Sequence, residues 1–292
     1  METVLVAGAT GYMGRYLVSE LHRRGYRVRV LVRSRERAEQ SGEFGAPSLR
    51  GLVDEWVVAD VGDASEIDGD LCHGVDRVVS ALGVTRQRAD PWDIDFRGNL
   101  RLLSLAEEAA VASFLYVNVM HVHEGTSMVM RSKAAFVEVL RRSAVTSQIV
   151  NPSGYFSDAS EFVHMAHRGI AFELGAGAQR LNPIHGADLA EFCIDRLGRE
   201  SGEWNVGGPD VYTFHEIVDL AFVAVGKRPR AVRVPVRVVR PVVWAADRLG
   251  PRASSLTRFF VEGLRRDSIG ERTGTHHLDE HFDAVALSRR KA

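Results

Sequence analysis

The sequence predicts an α/β protein, a doubly wound parallel sheet with a smaller, mainly helical C-terminal lobe. Three observations carry that prediction. Short β-branched runs alternate with segments of helical period through about residue 208. A glycine-rich turn joins the first run to the first helical segment. From about residue 211 the alternation stops, and proline-broken and helical stretches take over.

The first strand is "TVLVAG", residues 3–8, an apolar run of the kind that is buried on both faces of a parallel sheet. Met13, Tyr16, Leu17 and Leu21 then recur at helical spacing, and Gly25 stops that helix. Between them lies Gly8-Ala9-Thr10-Gly11-Tyr12-Met13-Gly14. Glycines here allow a tight turn, let backbone N–H groups approach a pyrophosphate, and let the helix pack close to the strand. In this strand-turn-helix context the pattern predicts a dinucleotide site on a Rossmann sheet.

The second strand, "YRVRVLV", ends at Val32, and the residues after it choose the cofactor. A carboxylate there would hold the ribose 2′-OH of NAD, whereas arginine suits the 2′-phosphate of NADP. The chain reads "RSRERA", so Arg33, Ser34, Arg35 and Arg37 face the ligand, Glu36 faces away, and NADP(H) is expected over NAD(H). An exposed basic helix start is the other reading of these residues.

"EWVVAD" is the third strand, ending at Asp60; "VDRVVSALG" the fourth, ending at Gly83; "SFLYVNVM" the fifth; and "SQIV" the sixth. The helix before the fifth is expected to bury Leu100, Leu103, Ala106 and Ala110. Ligands gather at the carboxyl ends of such strands. Asp60 and Val61 are therefore placed near adenine, and Ser80, Ala81, Leu82 and Gly83 near the nicotinamide ribose. In the C-terminal lobe, Thr213 and Glu216 form a capping box for a helix. "KRPRAVRVP" reads as an extended connection, and amphipathic helices follow over 238–249 and 256–264. Their apolar faces would roof a substrate cleft or meet a partner or membrane. The expected division is a dinucleotide-binding domain over 1–154, with 180–208 returning to it, and a substrate lobe formed by 155–179 and 209–292.

Composition narrows the function. With 37 Lys+Arg against 38 Asp+Glu, the chain offers no basic face for nucleic acid, and its hydrophobic content of 45% builds a sizeable core. Cys72 and Cys193 match no metal spacing and read as core thiols in a reducing compartment. No apolar run approaches the roughly 18 residues that span a bilayer, and "METVLVAGATG" lacks a basic leader. A cytoplasmic protein is expected, and a homo-oligomer is compatible with the sequence.

In the order "GATGYMG", "ADVGD", "VVSALG", "IDFRGNLRLLSLAEEAAVASFLYVNV", "NPSGYFSD", "LNPIHGADLA" and "WNVGGPDVYTFHEI", the chain resembles the short-chain dehydrogenase/reductase superfamily in its extended or atypical branch. It is most similar to the NmrA-like NAD(P)-binding group, which holds isoflavone-reductase-like enzymes, regulatory NADP binders and a respiratory complex I accessory subunit. The superfamily pairs a tyrosine with a lysine four residues later, plus a serine or threonine after the fifth strand. Lys133 sits where that lysine is expected, but Val129 replaces the tyrosine, and Val117-Asn118-Val119-Met120 supplies no hydroxyl. The usual proton relay therefore does not carry over.

By resemblance, Lys133 holds the nicotinamide ribose and could also give a proton, since lysine, unlike arginine, can lose one when desolvated. Asn118, Pro152 and Ser153 would line the nicotinamide. His121 or His123, directly after the fifth strand, or Tyr155 after the sixth could supply the missing acid. His185 in "NPIH" is read as structural, with Asp188 capping the next helix. His276, His277 and His281 are expected close together on a helix, with no metal assigned. The implied function is an NADP-dependent oxidoreductase acting on a small organic molecule, in secondary metabolism. The alternatives are a non-catalytic NADP-binding sensor or assembly factor, and a cofactor-retaining isomerase, lyase or cyclase.

Overall fold

The computed structural model describes residues 1–63, 67–84, 89–175, 177–235, 262–263 and 266–290. The helices expected over 238–249 and 256–264 lie outside these, apart from 262–263.

Strand β1 (Thr3–Ala7) is buried at every residue. It pairs in parallel with β2 (Arg27–Val32) on one side and with β4 (Arg77–Ser80) on the other. Outside β2 lies β3 (Glu55–Val58). Outside β4 lie β5 (Ser113–Val117), β6 (Thr146–Pro152), β9 (Gly202–Gly207) and β12 (Glu271–Arg272), giving the order β12-β9-β6-β5-β4-β1-β2-β3. The winding reverses between β1 and β4, and in such sheets ligands bind at that crevice.

The chain divides into two compact units, one of Met1–Glu124, Met128–Asn151 and Leu189–Trp204, the other of Gly125–Ser127, Pro152–Asp188 and Asn205–Ala292. The first holds a core in which Phe136 meets Tyr116 edge to face, with ring centres 4.9 Å apart, and Phe114 at a tilt, at 5.9 Å. Helix α1 (Tyr12–Arg23) buries Met13, Leu17, Val18 and Leu21, and Gly25 follows its end at φ 80°. A short α2 (Arg35–Ala38) follows β2, and α3 (Asn99–Glu108) precedes β5. The expected inner face of α3 needs correction: Leu102, Leu103, Leu105 and Ala106 are buried, while Leu100 is exposed and Ala110 lies past the helix end at φ 54°. Ala110 has left the helical conformation, so it cannot extend the helical stripe. Helix α4 (Met128–Arg142) carries Lys133 on its buried side.

In the second unit, α5 (Phe156–His167), α7 (Phe214–Ala224) and α8 (Leu278–Arg290) pack together around Val163, Phe222 and Phe282. The capping box of α7 is present, with Thr213 and Glu216 serving each other's backbone N–H. The "KRPRAVRVP" connection forms a strand, β11 (Ala231–Val234), paired in parallel with β7 (Ala171–Leu174). Strands β8 (Arg180–Leu181) and β10 (Tyr212–Thr213) form a small antiparallel pair, and α6 (Gly186–Arg196) leads back to the first unit. Both cysteines are buried and free, as core thiols should be. Among the described residues, no helix is long and apolar enough to cross a membrane.

Candidate dinucleotide site and its supporting residues

Gly8 takes φ 78°, and a Cβ there would lie 2.6 Å from the Ala81 carbonyl oxygen. A Cβ on Gly14 would lie 2.1 Å from the Gly8 carbonyl oxygen, so strand, turn and helix approach as closely as backbone permits. The turn closes through Gly11 N–H donating to Gly8 O at 3.0 Å. Gly11 is also the N-cap of α1, where no side chain caps the helix and the first turn holds no acid. The positive end of α1 thus lies beside exposed Thr10 and Gly11, as a pyrophosphate requires. Met13 is buried behind the turn, and Tyr12 stacks edge-on against Tyr16 with ring centres 5.2 Å apart.

Arg33 and Arg37 are exposed, and Ser34 caps α2 by accepting the Arg37 N–H at 3.3 Å. Arg35 turns aside to Glu39, at 2.8 Å, and lies over the Trp56 ring. The loop is fixed by a residue that the sequence reading passed over. Arg15 is buried and donates to the carbonyls of Thr10, Arg37, Ala38, Gln40 and Pro47 at 2.6–3.1 Å. It ties the glycine turn to the loop carrying the two exposed arginines. Burial holds its pKa below the ordinary arginine value. The only sequence signal was its place directly after Gly14, a cation where the helix should face the sheet.

At the carboxyl ends of the next strands, Asp60 accepts the Gly62 N–H at 2.9 Å, and Val61 is buried against Gly98. Ala81 extends the β1 ladder to Ala7 O, Leu82 is buried, and half-buried Gly83 would bring a Cβ within 3.4 Å of Lys133 Nζ. Lys133 itself is buried, not a free ammonium. Its Nζ lies 2.9 Å from the Asp95 carboxylate, 3.2 Å from Tyr116 Oη and 3.3 Å from the Leu82 carbonyl oxygen.

Burial alone would pull the Lys133 pKa down, but Asp95 and then Tyr116 outweigh it and hold the value above that of ordinary lysine. Asp95 is fully buried on a π-helical turn, Trp92–Gly98, and burial pushes its pKa up against the pull of Lys133. Desolvation, which would ease loss of the Lys133 proton, is therefore opposed by the Asp95 counter-ion, which favours the charged form. Asp95 and Tyr116 were both missed. Asp95 lies inside the quoted "IDFRGN" segment, and Tyr116 alternates with apolar neighbours in "SFLYV", so each reads from sequence as ordinary packing.

Where the family's hydroxyl would stand, Asn118 Nδ2 donates to Asn151 Oδ1 at 2.8 Å, and Asn151 Nδ2 in turn donates to Glu203 at 2.8 Å. The Asn118 amide oxygen is buried with no hydrogen-bond partner among the described residues. His121 takes φ 58° and pairs with Glu124 at 3.2 Å, while His123 lies 4.0 Å from Glu138. In the second unit, Pro152 is buried, Ser153 Oγ donates to the Asn182 carbonyl, and Tyr155 begins α5 and bridges to Ile184.

The "NPIH" segment is structural. Asn182 donates to Gly208 O and Gly270 O, and His185 stacks on His276 with ring centres 4.2 Å apart. Two expectations need correction here. Asp188 does not cap α6 but binds the backbone N–H groups of Thr275 and His276 and the His276 ring, because the chain 88 residues later returns against it. Of the three C-terminal histidines only His281 is on the helix; His276 goes to Asp188, and His277 to Asp210 at 2.6 Å. Partners close in space but distant in sequence draw the two apart.

A doubly wound sheet with an uncapped helix behind a glycine turn defines a nucleotide-binding α/β protein. A family described as NAD(P)H-binding matches residues 8–200, and the chain belongs to it, within the atypical short-chain dehydrogenase/reductases. Over 266 residues it is 30% identical to a divinyl chlorophyllide a 8-vinyl-reductase of Zea mays, covering 85% of this chain but 65% of that protein. It is 29% identical over 265 residues to a ceramide reductase of Caulobacter vibrioides, covering 87% of this chain and 79% of the relative. The fold matches an NADPH-dependent quinone oxidoreductase from Escherichia coli solved with NADPH, at TM-score 0.73 and 17% identity, over 97% of this chain and 99% of that one.

Proposed function

We propose that the chain is an NADPH-dependent reductase that acts on a small, largely apolar organic molecule. The observation that carries this reading is the exposed pair Arg33 and Arg37 on a loop that Arg15 clamps to the glycine turn. Guanidinium forks bind a phosphate dianion through paired charge-assisted bonds, whereas a bare ribose hydroxyl gives them little to hold. The bound nicotinamide would supply hydride.

This chain's residues do the holding. The glycine turn and the start of α1 at Tyr12 and Met13 would hold the pyrophosphate, Arg33, Ser34 and Arg37 the 2′-phosphate, and Asp60 and Val61 the adenine side. Ala81, Leu82, Gly83 and Asn118 lie toward the nicotinamide. Lys133, kept protonated by Asp95, acts as a fixed positive donor rather than as a base. The proton for substrate then comes from Tyr155, His121 or water. The names of the maize and Caulobacter relatives, reductases of a chlorophyllide and of ceramide, support reduction of an organic molecule.

The test is titration of the purified chain with NADPH and NADH, for wild type and Arg33→Ala. Loss of one charged hydrogen-bonding partner should weaken NADPH by roughly tenfold or more and leave NADH unchanged. Equal weakening of both would remove the arginine from the 2′-phosphate, and binding of neither would sink the reading. Candidate substrates are then screened by loss of reduced-nicotinamide absorbance, with Tyr155→Phe and His121→Asn separating the proton donors. Turnover without that loss would instead mean isomerisation, elimination or cyclisation on a retained cofactor.

A further inference from the structure

The second unit carries a face that the dinucleotide site does not use. Strands β7 and β11 are paired only with each other among the described residues. Along β7 the burial alternates: Ala171 and Glu173 are inside, whereas Phe172 is 54% exposed and Ile170 beside it 41%. The register sets Val232, 45% exposed, directly beside Phe172. Residues paired in register point to the same side of a sheet, and so do residues two apart, so Ile170, Phe172 and Val232 form one outward apolar strip.

The border of that strip is cationic. Arg168 precedes it, and Lys227, Arg228 and Arg230 occupy the turn entering β11, all of them exposed. The turn is fixed against β7 by Ala171 N–H donating to Arg230 O at 3.0 Å, and Lys227 Nζ reaches His167 O at 2.5 Å. Glu173, the one carboxylate on these two strands, is buried and held by His215 at 2.8 Å, with Arg233 3.7 Å away. The sequence extends the same bias. Residues 227–266 contain eleven Lys+Arg and two Asp+Glu, in a chain whose totals are 37 and 38.

We propose that this face docks on an anionic lipid bilayer, with Ile170, Phe172 and Val232 entering the interface and Lys227, Arg228 and Arg230 meeting lipid phosphates. Apolar side chains ringed by cations match a bilayer interface, which offers an apolar layer directly beneath a layer of negative charge. A nucleic acid would use the cations but leave the aliphatic Ile170 and Val232 in water. Neither reading of the dinucleotide site is needed for this proposal, because no residue of that site takes part.

The experiment is co-sedimentation of the full chain with vesicles of phosphatidylcholine alone or mixed with phosphatidylglycerol. Wild type should pellet with the mixed vesicles, and added salt should release it. The double variant Arg228→Glu/Arg230→Glu should lower the partition at least tenfold, since each basic residue near an anionic surface is worth about fivefold. Phe172→Ser/Val232→Ser should also weaken it, with less change in the salt dependence. Unchanged thermal unfolding and NADPH titration show that the variants remain folded. Equal pelleting with neutral vesicles, full binding by the charge-reversed variant, or no pelleting at low salt would each overturn the proposal.

Discussion

In the first unit an ammonium, Lys133, is buried 2.9 Å from the Asp95 carboxylate and 3.2 Å from the Tyr116 hydroxyl. In the second, His185 and His281 are largely buried against Phe156 and His276, and the His281 ring meets Ser160 at 2.9 Å. Both clusters take basic side chains out of water, and burial disfavours the charged form in each. The difference is the neighbour. Lys133 faces a carboxylate, so its pKa rises. His281 faces another imidazole, as does His185, where the attraction of Asp188 ranks last among the causes, and both fall to about 4. One cluster therefore stores a charge and the other excludes it.

The sharpest way to break this contrast is to remove the carboxylate. Asp95→Ala leaves Lys133 as a buried charge without its counter-ion, and should destabilise the protein by about 3–5 kcal/mol, read from denaturant unfolding. Adding Lys133→Met to that variant should recover most of the loss, because an apolar pair of similar volume no longer carries a desolvated charge. If the double variant is no more stable than the single one, the cost is packing, and the ion pair is not what organises the cluster. The same double variant should bind NADPH more weakly if the ammonium contacts the ribose.

The histidine cluster predicts the next largest effect, and one that depends on pH. His185 and His281 have folded values of about 4 against an ordinary 6.5, so the unfolded chain binds more protons between those limits. Their contribution is complete above about pH 6.5 and is lost as pH falls toward 4. At about 1.4 kcal/mol per unit of difference, each contributes at most about 3 kcal/mol to that loss. His281→Phe should flatten the slope of unfolding free energy against pH in this window. An unchanged slope would place the acid sensitivity elsewhere.

The same contrast explains what could be read in advance. The glycine turn and the succession of strands and helices along the chain follow from local pattern, since a turn, a β-branched run and a helical stripe each need only a few adjacent residues. Lys133 was found by its position, but its environment was not. Asp95 and Tyr116 lie 38 and 17 positions from it along the chain, and Arg15, elsewhere in the unit, reaches carbonyls up to 32 positions away, all through contacts that only the folded chain creates. The face of α3 was misjudged for a similar reason, because Leu100 and Ala110 fit a helical period that the chain abandons at Ala110. The pairing of Asp188 with His276 spans 88 residues and has no local signature.

The smallest expected effects come from the neutral hydroxyls, which lie in both clusters and so form a matched pair. Tyr116→Phe removes the oxygen beside Lys133 but leaves Asp95 in place, and should cost about 1 kcal/mol at every pH from 4 to 8. Ser160→Ala removes the hydroxyl that meets His281 and also donates to the Phe156 carbonyl at 2.8 Å, with a similar cost near pH 7. The two should separate on acidification. Tyr116 serves a group that stays charged throughout, so its variant should run parallel to wild type. Ser160 serves an imidazole that gains a proton as the cluster opens, so its deficit should shrink as the pH falls toward 4. Parallel curves for both variants would mean that the histidine cluster stays closed on protonation, and that burial rather than charge governs the second unit.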